Sequence, residues 1–396
     1  MSTFEVPQRE LETRLTKFQQ TMVADGIDGA FLVQGADIAY FSGDELWQWI
    51  YVPAHGDPIL CAPKDDNIPK VVLGQVVGFV GEHEIINAVT EHCRALPKVL
   101  GLEMDILPFN LFNHYRAIFQ EPECVDVSVK ILSLRAIKSE WEIAQMERTA
   151  RRTSEVFEYL SDVISPELSE MEFAAMAEGF VQEKSSMPIS LRIRDYKSEG
   201  YPWHVLSGHN SGKIGVLDSP ASGEGTSAAF PCGAGPKKLE KHEPIMVDFA
   251  YEYNGYHMDE TRMFSIGPMS DEALWASEAA IKIHDTIIEK ARPGLKASEL
   301  YDISVSLADE LGYGHVYLGP PGHKVSFVGH GIGLELIERP ILARGKKDVL
   351  QLGMTFAVEP KMVFKDRFGV GVESVFVVTD DGGRLISKVP VKIFTC

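Results

Sequence analysis

The stretch Val247–Arg262, "VDFAYEYNGYHMDETR", decides how the C-terminal part of the chain reads. Asn254-Gly255 is the strongest short hairpin signal, a two-residue loop with φ > 0 at both positions. It sets a register in which Tyr253 faces Tyr256, Ala250 faces Asp259 and Asp248 faces Thr261. Side chains alternate along a strand, so Asp248, Asp259 and Thr261 share one face. The aspartates become diagonal neighbours, with Cβ atoms roughly 7 Å apart or less. Like charges that close destabilise a sheet unless something positive lies between them. On this hairpin alone, a solvent-facing strand edge explains the paired acids as well as a ligand site does.

A second stretch, "TFAVEPKMVFKDRFGVGVESVFVVT" (355–379), reads as another hairpin and embeds Glu359 and Glu373 in otherwise apolar strands. Lys, Arg and Gln, which normally share a solvated face, are missing from "TFAVEP" and "GVGVESVFVVT". Buried carboxylates need a cation or hydrogen-bond donors. Few basic residues lie near these strands; Arg262 is the obvious one, and a single guanidinium cannot neutralise four acids. A metal centre answers the charge better, and His330 in "FVGHGIGLELIERP" is the nitrogen candidate. The glycines beside it let the backbone pass close to a crowded site. "GHGIG" lacks the GxGxxG spacing and strand–turn–helix setting of a nucleotide loop. Four carboxylates and one imidazole exceed the usual three protein ligands of a catalytic zinc. They suit two ions, ~3.5–4 Å apart, bridged by carboxylate and water. Oxygen-rich ligation favours Mn, Co, Fe or Zn over copper.

The rest of the chain fits a two-domain enzyme. At 396 residues it exceeds one typical core. Short apolar runs ("GAFLVQG", "PILCAPK", "KVLGLEMD", "CVDVSVKIL") alternate with helical segments at 9–24 and 108–119, predicting an α/β domain over 1–134. From 135 to 396 the order is α+β: capping boxes at Ser139/Glu142 and Ser169/Glu172, a polar irregular stretch over 181–213, then hairpin, helices 271–291 and 297–311, and the second hairpin. Five scattered cysteines without a CxxC pair fit a reducing compartment. No apolar run approaches a membrane span, and the charged start lacks the apolar core of a signal peptide. A net charge of −19 repels phosphate backbones, so nucleic acid is not an expected partner. A cytoplasmic protein is expected.

The order Asp248, Asp259, His330 within GHGIG, Glu359 before Pro360 and Glu373 resembles the pita-bread metallopeptidases, the family of methionine aminopeptidase, Xaa-Pro aminopeptidase and prolidase, whose fold creatinase shares. "RAIKSEWEI" is similar to the opening of their catalytic domain, and the first domain resembles the creatinase/prolidase N-terminal domain. The resemblance implies two divalent ions per chain. Asp248 would chelate one, His330 and Glu359 the other, and Asp259 and Glu373 would bridge them. It also implies a bridging water as nucleophile, Glu359 as its proton carrier, a short peptide with proline second as substrate, and a homodimer.

Departures accompany the match. The position seven residues after His330 carries Ile337 where the resembled peptidases have a second histidine, and their upstream "PH" pair is absent. His209 and His323 are the candidates for substrate contact in its place. The final strand has Gly371-Val372-Glu373-Ser374 where many members have Arg-Ile-Glu-Asp. The alternative function is therefore a metal-dependent hydrolase or lyase for a small non-peptide substrate. A binding protein on the same fold, or creatinase-like metal-free catalysis, gives no reason to keep five ligands. Trp47 and Trp49 are expected in core or interface packing, Arg192 and Arg194 on a solvated loop, and His257 beside the site or in solvent.

Overall fold

The computed structural model describes residues 5–45, 47–63, 73–79, 83–185, 191–194, 203–215 and 219–396. The chain forms two compact units, one running to Arg135 and also holding Arg194, the other made of the remainder.

In the first unit, α1 (Gln8–Ala24) buries Leu11, Leu15, Phe18 and Met22, the stripe their spacing predicts. Then follow β1 (Gly29–Leu32), α2 (Gly35–Ser42), β2 (Trp49–Pro53), β3 (Ile59–Pro63) and β4 (Gln75–Phe79). The unit continues through α3 (His83–Cys93), β5 (Val99–Leu102), α4 (Phe109–Ile118), β6 (Glu123–Asp126) and α5 (Ser128–Ala136). The strands make one mixed sheet in the order β4-β3-β2-β1-β5-β6, so the expected α/β character holds. Trp47 and Trp49 are both buried; Trp49 packs against Phe31 with ring centroids 5.4 Å apart.

Two readings of this part need correction. "CVDVSVKIL" is strand only to Asp126. Asp126 Oδ1 accepts from the Ser128 N–H at 2.9 Å and opens a helix, and Val127, Ile131 and Leu132 bury its apolar side. Arg194 is not solvated. It donates to Asp37 Oδ2 at 2.7 Å and, with two nitrogens, to Asp105 at 2.9 and 3.1 Å. Burial opposes the charge on Asp37, yet Arg135 and Arg194 together hold its carboxyl down at about 2.

The second unit opens with α6 (Glu140–Val163), which carries the capping box on Ser139 and Glu142, and α7 (Glu170–Ser185). Val181–Ser185, expected to be irregular, is instead the last turn of α7; 186–190 and 195–202 of that stretch lie outside the described residues. Next come β7 (Trp203–Ser207), a 3-10 turn (Gly208–Gly212), β8 (Ile245–Tyr253), β9 (Tyr256–Ser265), α8 (Asp271–Lys290) and α9 (Ala297–Glu310). The remaining strands are β10 (Phe327–Gly331), β11 (Glu338–Ala343), β12 (Thr355–Val358), β13 (Lys361–Phe364), β14 (Phe368–Gly371), β15 (Ser374–Thr379), β16 (Gly382–Leu385) and β17 (Phe394–Thr395). One sheet runs β17-β9-β8-β7, a second β11-β10-β12-β15-β16, and β13-β14 form a separate ribbon. Phe157 of α6 and Phe173 of α7 pack under Phe249 and Phe264 of the first of these sheets. Ile283 and Ile287 of α8 and Leu300 of α9 join Phe356 and Phe376 of the second.

The first hairpin has the predicted register: Tyr253 pairs with Tyr256, Ala250 with Asp259 and Asp248 with Thr261. Asn254 and Gly255 take φ of 55° and 84°, as the two-residue loop requires. The second hairpin differs from expectation by being two nested ones. The outer pair is β12 with β15, the inner pair β13 with β14. Glu359 and Glu373 therefore sit in the breaks between strands, not within them; Pro360, lacking an N–H, helps end the outer ladder. At its break Glu373 exchanges backbone hydrogen bonds with Thr261 (3.0 and 3.3 Å), tying the two sheets together.

Beyond the turn, His257 is fully buried rather than solvated. Its ring Nδ1 donates to Gly333 O at 3.0 Å, and Nε2 accepts from the Arg192 N–H at 3.1 Å. The imidazole thus pins the loop after β10 against β9. Burial, chiefly, with Arg192 adding to it, lowers its pKa from 6.5 to about 4. The unfolded chain takes up this proton near pH 6.5 and the folded chain only near pH 4, so the stability from neutral His257 is full above pH 6.5 and is lost as pH falls toward 4. Over that window the loss amounts to roughly 3 kcal/mol. Urea midpoints of His257→Gln measured from pH 7 to pH 4 should fall less steeply than those of the parent chain; equal slopes would remove His257 from the acid response. Among the described residues no helix is long and apolar enough to cross a membrane.

Candidate metal centre

Asp248 and Asp259 project from the facing strands β8 and β9. His330 lies in β10, between Ile341 of β11 and Ala357 of β12. The approach is close: a Cβ on Gly329 would stand 2.4 Å from Ala357 O, so only glycine fits before the histidine. Glu359 and Glu373 enter from the two strand breaks. Asp259, His330, Glu359 and Glu373 are all buried, whereas Asp248 is partly exposed. All five residues singled out by sequence are thereby brought to one place.

The ligand atoms are arranged around the imidazole. His330 Nδ1 donates to Gly331 O at 2.9 Å, which leaves Nε2 with its lone pair. Nε2 stands 3.8 Å from Asp259 Oδ2, 3.8 Å from Glu359 Oε1 and 3.9 Å from Glu373 Oε1. These separations are too long for hydrogen bonds. Glu373 Oε1 is buried with no hydrogen-bond donor among the described residues, while Oε2 accepts from Thr261 Oγ1 at 2.9 Å. Asp259, His330 and Glu373 have the donor types and mutual spacing to hold a metal ion. Burial, then repulsion from Asp248 and Glu359, pushes the Asp259 carboxyl well above the usual carboxylate range. Burial, then Asp259 and Glu359, does the same to Glu373. A cation beside His330 Nε2 relieves both, and the donor set fits one.

On the other side of the acids lies a residue the sequence reading passed over. Lys361 is buried, and its Nζ donates to Glu359 Oε2 at 2.8 Å and Asp248 Oδ2 at 2.9 Å, with Glu373 Oε2 at 3.6 Å. Burial disfavours the ammonium, but Asp248, Glu359 and Glu373 outweigh it and hold its pKa well above the ordinary value. The expectation that few basic residues approach the acids is corrected here. A signal existed: Lys361 is two residues from Glu359 and stands at the head of the apolar strand "KMVF". Arg262, by contrast, spends its donors on neutral oxygens. It bonds the carbonyls of Thr261, Glu373, Val389 and Pro390 and the hydroxyl of Ser374, and so fixes backbone rather than charge.

His209 and His323 are both exposed, and neither hydrogen-bonds to a residue of the centre among the described residues. Arg192 is not solvated as expected; it pairs with Glu252 at 3.5 Å. Ile337 is 44% exposed. Its neighbour Glu338 is buried against Lys138 Nζ at 2.8 Å, so the strand that carries Ile337's flank is firmly held.

Comparison with known proteins shows which fold and family carry these residues. The chain is 24% identical over 388 residues to the Xaa-Pro dipeptidase of Pyrococcus furiosus, covering 96% of this chain and 98% of that one. It is similar to the solved Xaa-Pro dipeptidase from Bacillus anthracis, with a TM-score of 0.81, 23% identity, and 98% and 100% of the two chains covered. It also matches the prolidase from Pyrococcus horikoshii OT3, with a TM-score of 0.78, 22% identity, and 96% and 99% covered. The pita-bread fold and the α/β domain before it are thus shared with these proteins. Residues 14–137 match the Creatinase/Prolidase N-terminal domain. Residues 144–380, which contain all five candidate ligands, match Metallopeptidase family M24, and the chain belongs to that family.

Proposed function

We propose that the chain hydrolyses short peptides in which proline follows the first residue, at a divalent ion held by Asp259, His330, Glu359 and Glu373, with Asp248 completing the acidic wall. The arrangement around His330 carries this assignment: one imidazole nitrogen faces one oxygen from each of three buried carboxylates at 3.8–3.9 Å. The substrate class is supported by the names of the relatives from Pyrococcus and Bacillus. A divalent ion there supplies an acidified water and a polarised carbonyl. The chain's own residues do the rest. Gly331 O fixes the tautomer and tilt of His330. Thr261 Oγ1 holds Glu373 Oε2 and so turns Oε1 toward the imidazole. Glu359, with Oε2 fixed by Lys361 and Oε1 turned to the same side as His330 Nε2, takes the proton of the attacking water and delivers it to the leaving nitrogen. His209 and His323 contact the peptide from outside this shell.

The exposure of Ile337, where the resembled peptidases carry a histidine, favours a second reading, a small non-peptide substrate hydrolysed at the same ion. Chelator-sensitive turnover of a metabolite panel with none on Xaa-Pro peptides would select it.

For the first reading, a panel of Xaa-Pro dipeptides and tripeptides is assayed with Mn, Co, Fe or Zn added and then with chelator. Turnover should appear with at least one metal and vanish with the chelator, and Glu359→Gln should lower kcat by ~10²–10⁴. No turnover with any metal on any peptide would overturn it. His209→Ala and His323→Ala should raise KM and leave metal content unchanged; loss of metal from either would contradict a role confined to substrate contact.

A further inference from the structure

The four acids form two cation places back to back. On one side His330 Nε2 faces Asp259 Oδ2, Glu359 Oε1 and Glu373 Oε1. On the other side Lys361 Nζ faces Asp248 Oδ2, Glu359 Oε2 and Glu373 Oε2. Glu359 and Glu373 each turn one oxygen to either side, as carboxylates that bridge two cations do. One of those cations is already covalently part of the chain.

We propose that this centre takes a single divalent ion, on the His330 side, and that the Lys361 ammonium fills the place a second ion would need. The inference rests on the metal assignment above and departs from the two-ion expectation drawn from the sequence. Three observations support it. The ammonium is within 2.9 Å of two of the oxygens that a second ion would have to share. Its stem is buried along the β13-β14 ribbon, where Lys361 pairs with Gly371, and its side chain is only 3% exposed. And Gly371 is what admits it: a Cβ at that position would stand 2.5 Å from Lys361 Cγ. Gly371 and Lys361 therefore depend on each other: the buried lysine needs a position without a side chain opposite it. The charges agree as well. Four carboxylates against one ammonium and one divalent ion leave a net single negative charge. A second divalent ion would reverse that sign and compete with the ammonium for the same oxygens of Asp248 and Glu359.

The test uses the full chain, stripped of metal and reconstituted with Mn(II). Metal content is measured by inductively coupled plasma mass spectrometry and the ion's environment by electron paramagnetic resonance. The parent chain should hold about one equivalent with the spectrum of an isolated ion, and Lys361→Ala about two with the spectrum of an exchange-coupled pair. Two equivalents or a coupled spectrum in the parent chain would overturn the proposal while leaving the metallohydrolase reading standing. One equivalent in both proteins would overturn the part assigned to Lys361. No bound ion in the parent chain, with Mn(II) or with Co, Fe or Zn in its place, would overturn both readings. The parent chain's spectrum alone decides between one ion and two should Lys361→Ala fail to fold.

Discussion

Four carboxylates converge in a largely water-excluded space, and nearly everything in the second unit serves to hold them there against their own repulsion. Two come from a hairpin whose register is fixed by its turn. Two come from points where a longer hairpin breaks and re-forms. Their backbones are locked before their charges are considered: Glu373 shares two hydrogen bonds with Thr261, and Arg262 is bonded to the carbonyls on either side of the junction. With the framework fixed, relief must come from cations. Lys361 is one, and Asp259, His330 and Glu373 have the spacing to hold another.

Much of this was legible in the sequence because it obeys short-range rules. A two-residue Asn-Gly loop admits one register, so the relative placement of Asp248 and Asp259 followed from counting. Helix starts at Ser139 and Ser169 announced themselves by side-chain capping. The five candidate ligands stood out by their order and type, which carried the family resemblance. What escaped depends on long-range packing. The break at Glu359-Pro360 requires knowing that β13 pairs with β14 while β12 pairs with β15, and no local pattern distinguishes that from one continuous hairpin. Arg194 reads as a loop residue until its partners Asp37 and Asp105 are in place, 157 and 89 residues away. Lys361 was overlooked because a lysine is presumed to face water; its burial is intelligible only once three acids are seen around its ammonium.

Family membership and residue identity speak to different questions here. The M24 match and the shared fold fix the scaffold and the class of chemistry it hosts. They do not fix the side chains packed around the four acids, which are this chain's own. Lys361 is bonded to Asp248 and Glu359, and Gly371 lies opposite it on the ribbon, so two residues decide what surrounds the acids on that side. Fold similarity is uninformative at that scale, and the donor geometry is what remains to reason from.

The Arg262 bonds to Val389 and Pro390, together with the parallel pairing of Phe394 with Phe264, bring a late part of the chain under an early one. Asp248 and Asp259 are thus synthesised well before the segment that secures the hairpin they share. Until residues near 390 are made, the Arg262 guanidinium lacks its Val389 and Pro390 acceptors. The acidic pair is in this sense anchored from a distance: Arg262, near the end of its hairpin, finds two acceptors 127 and 128 positions further along the chain.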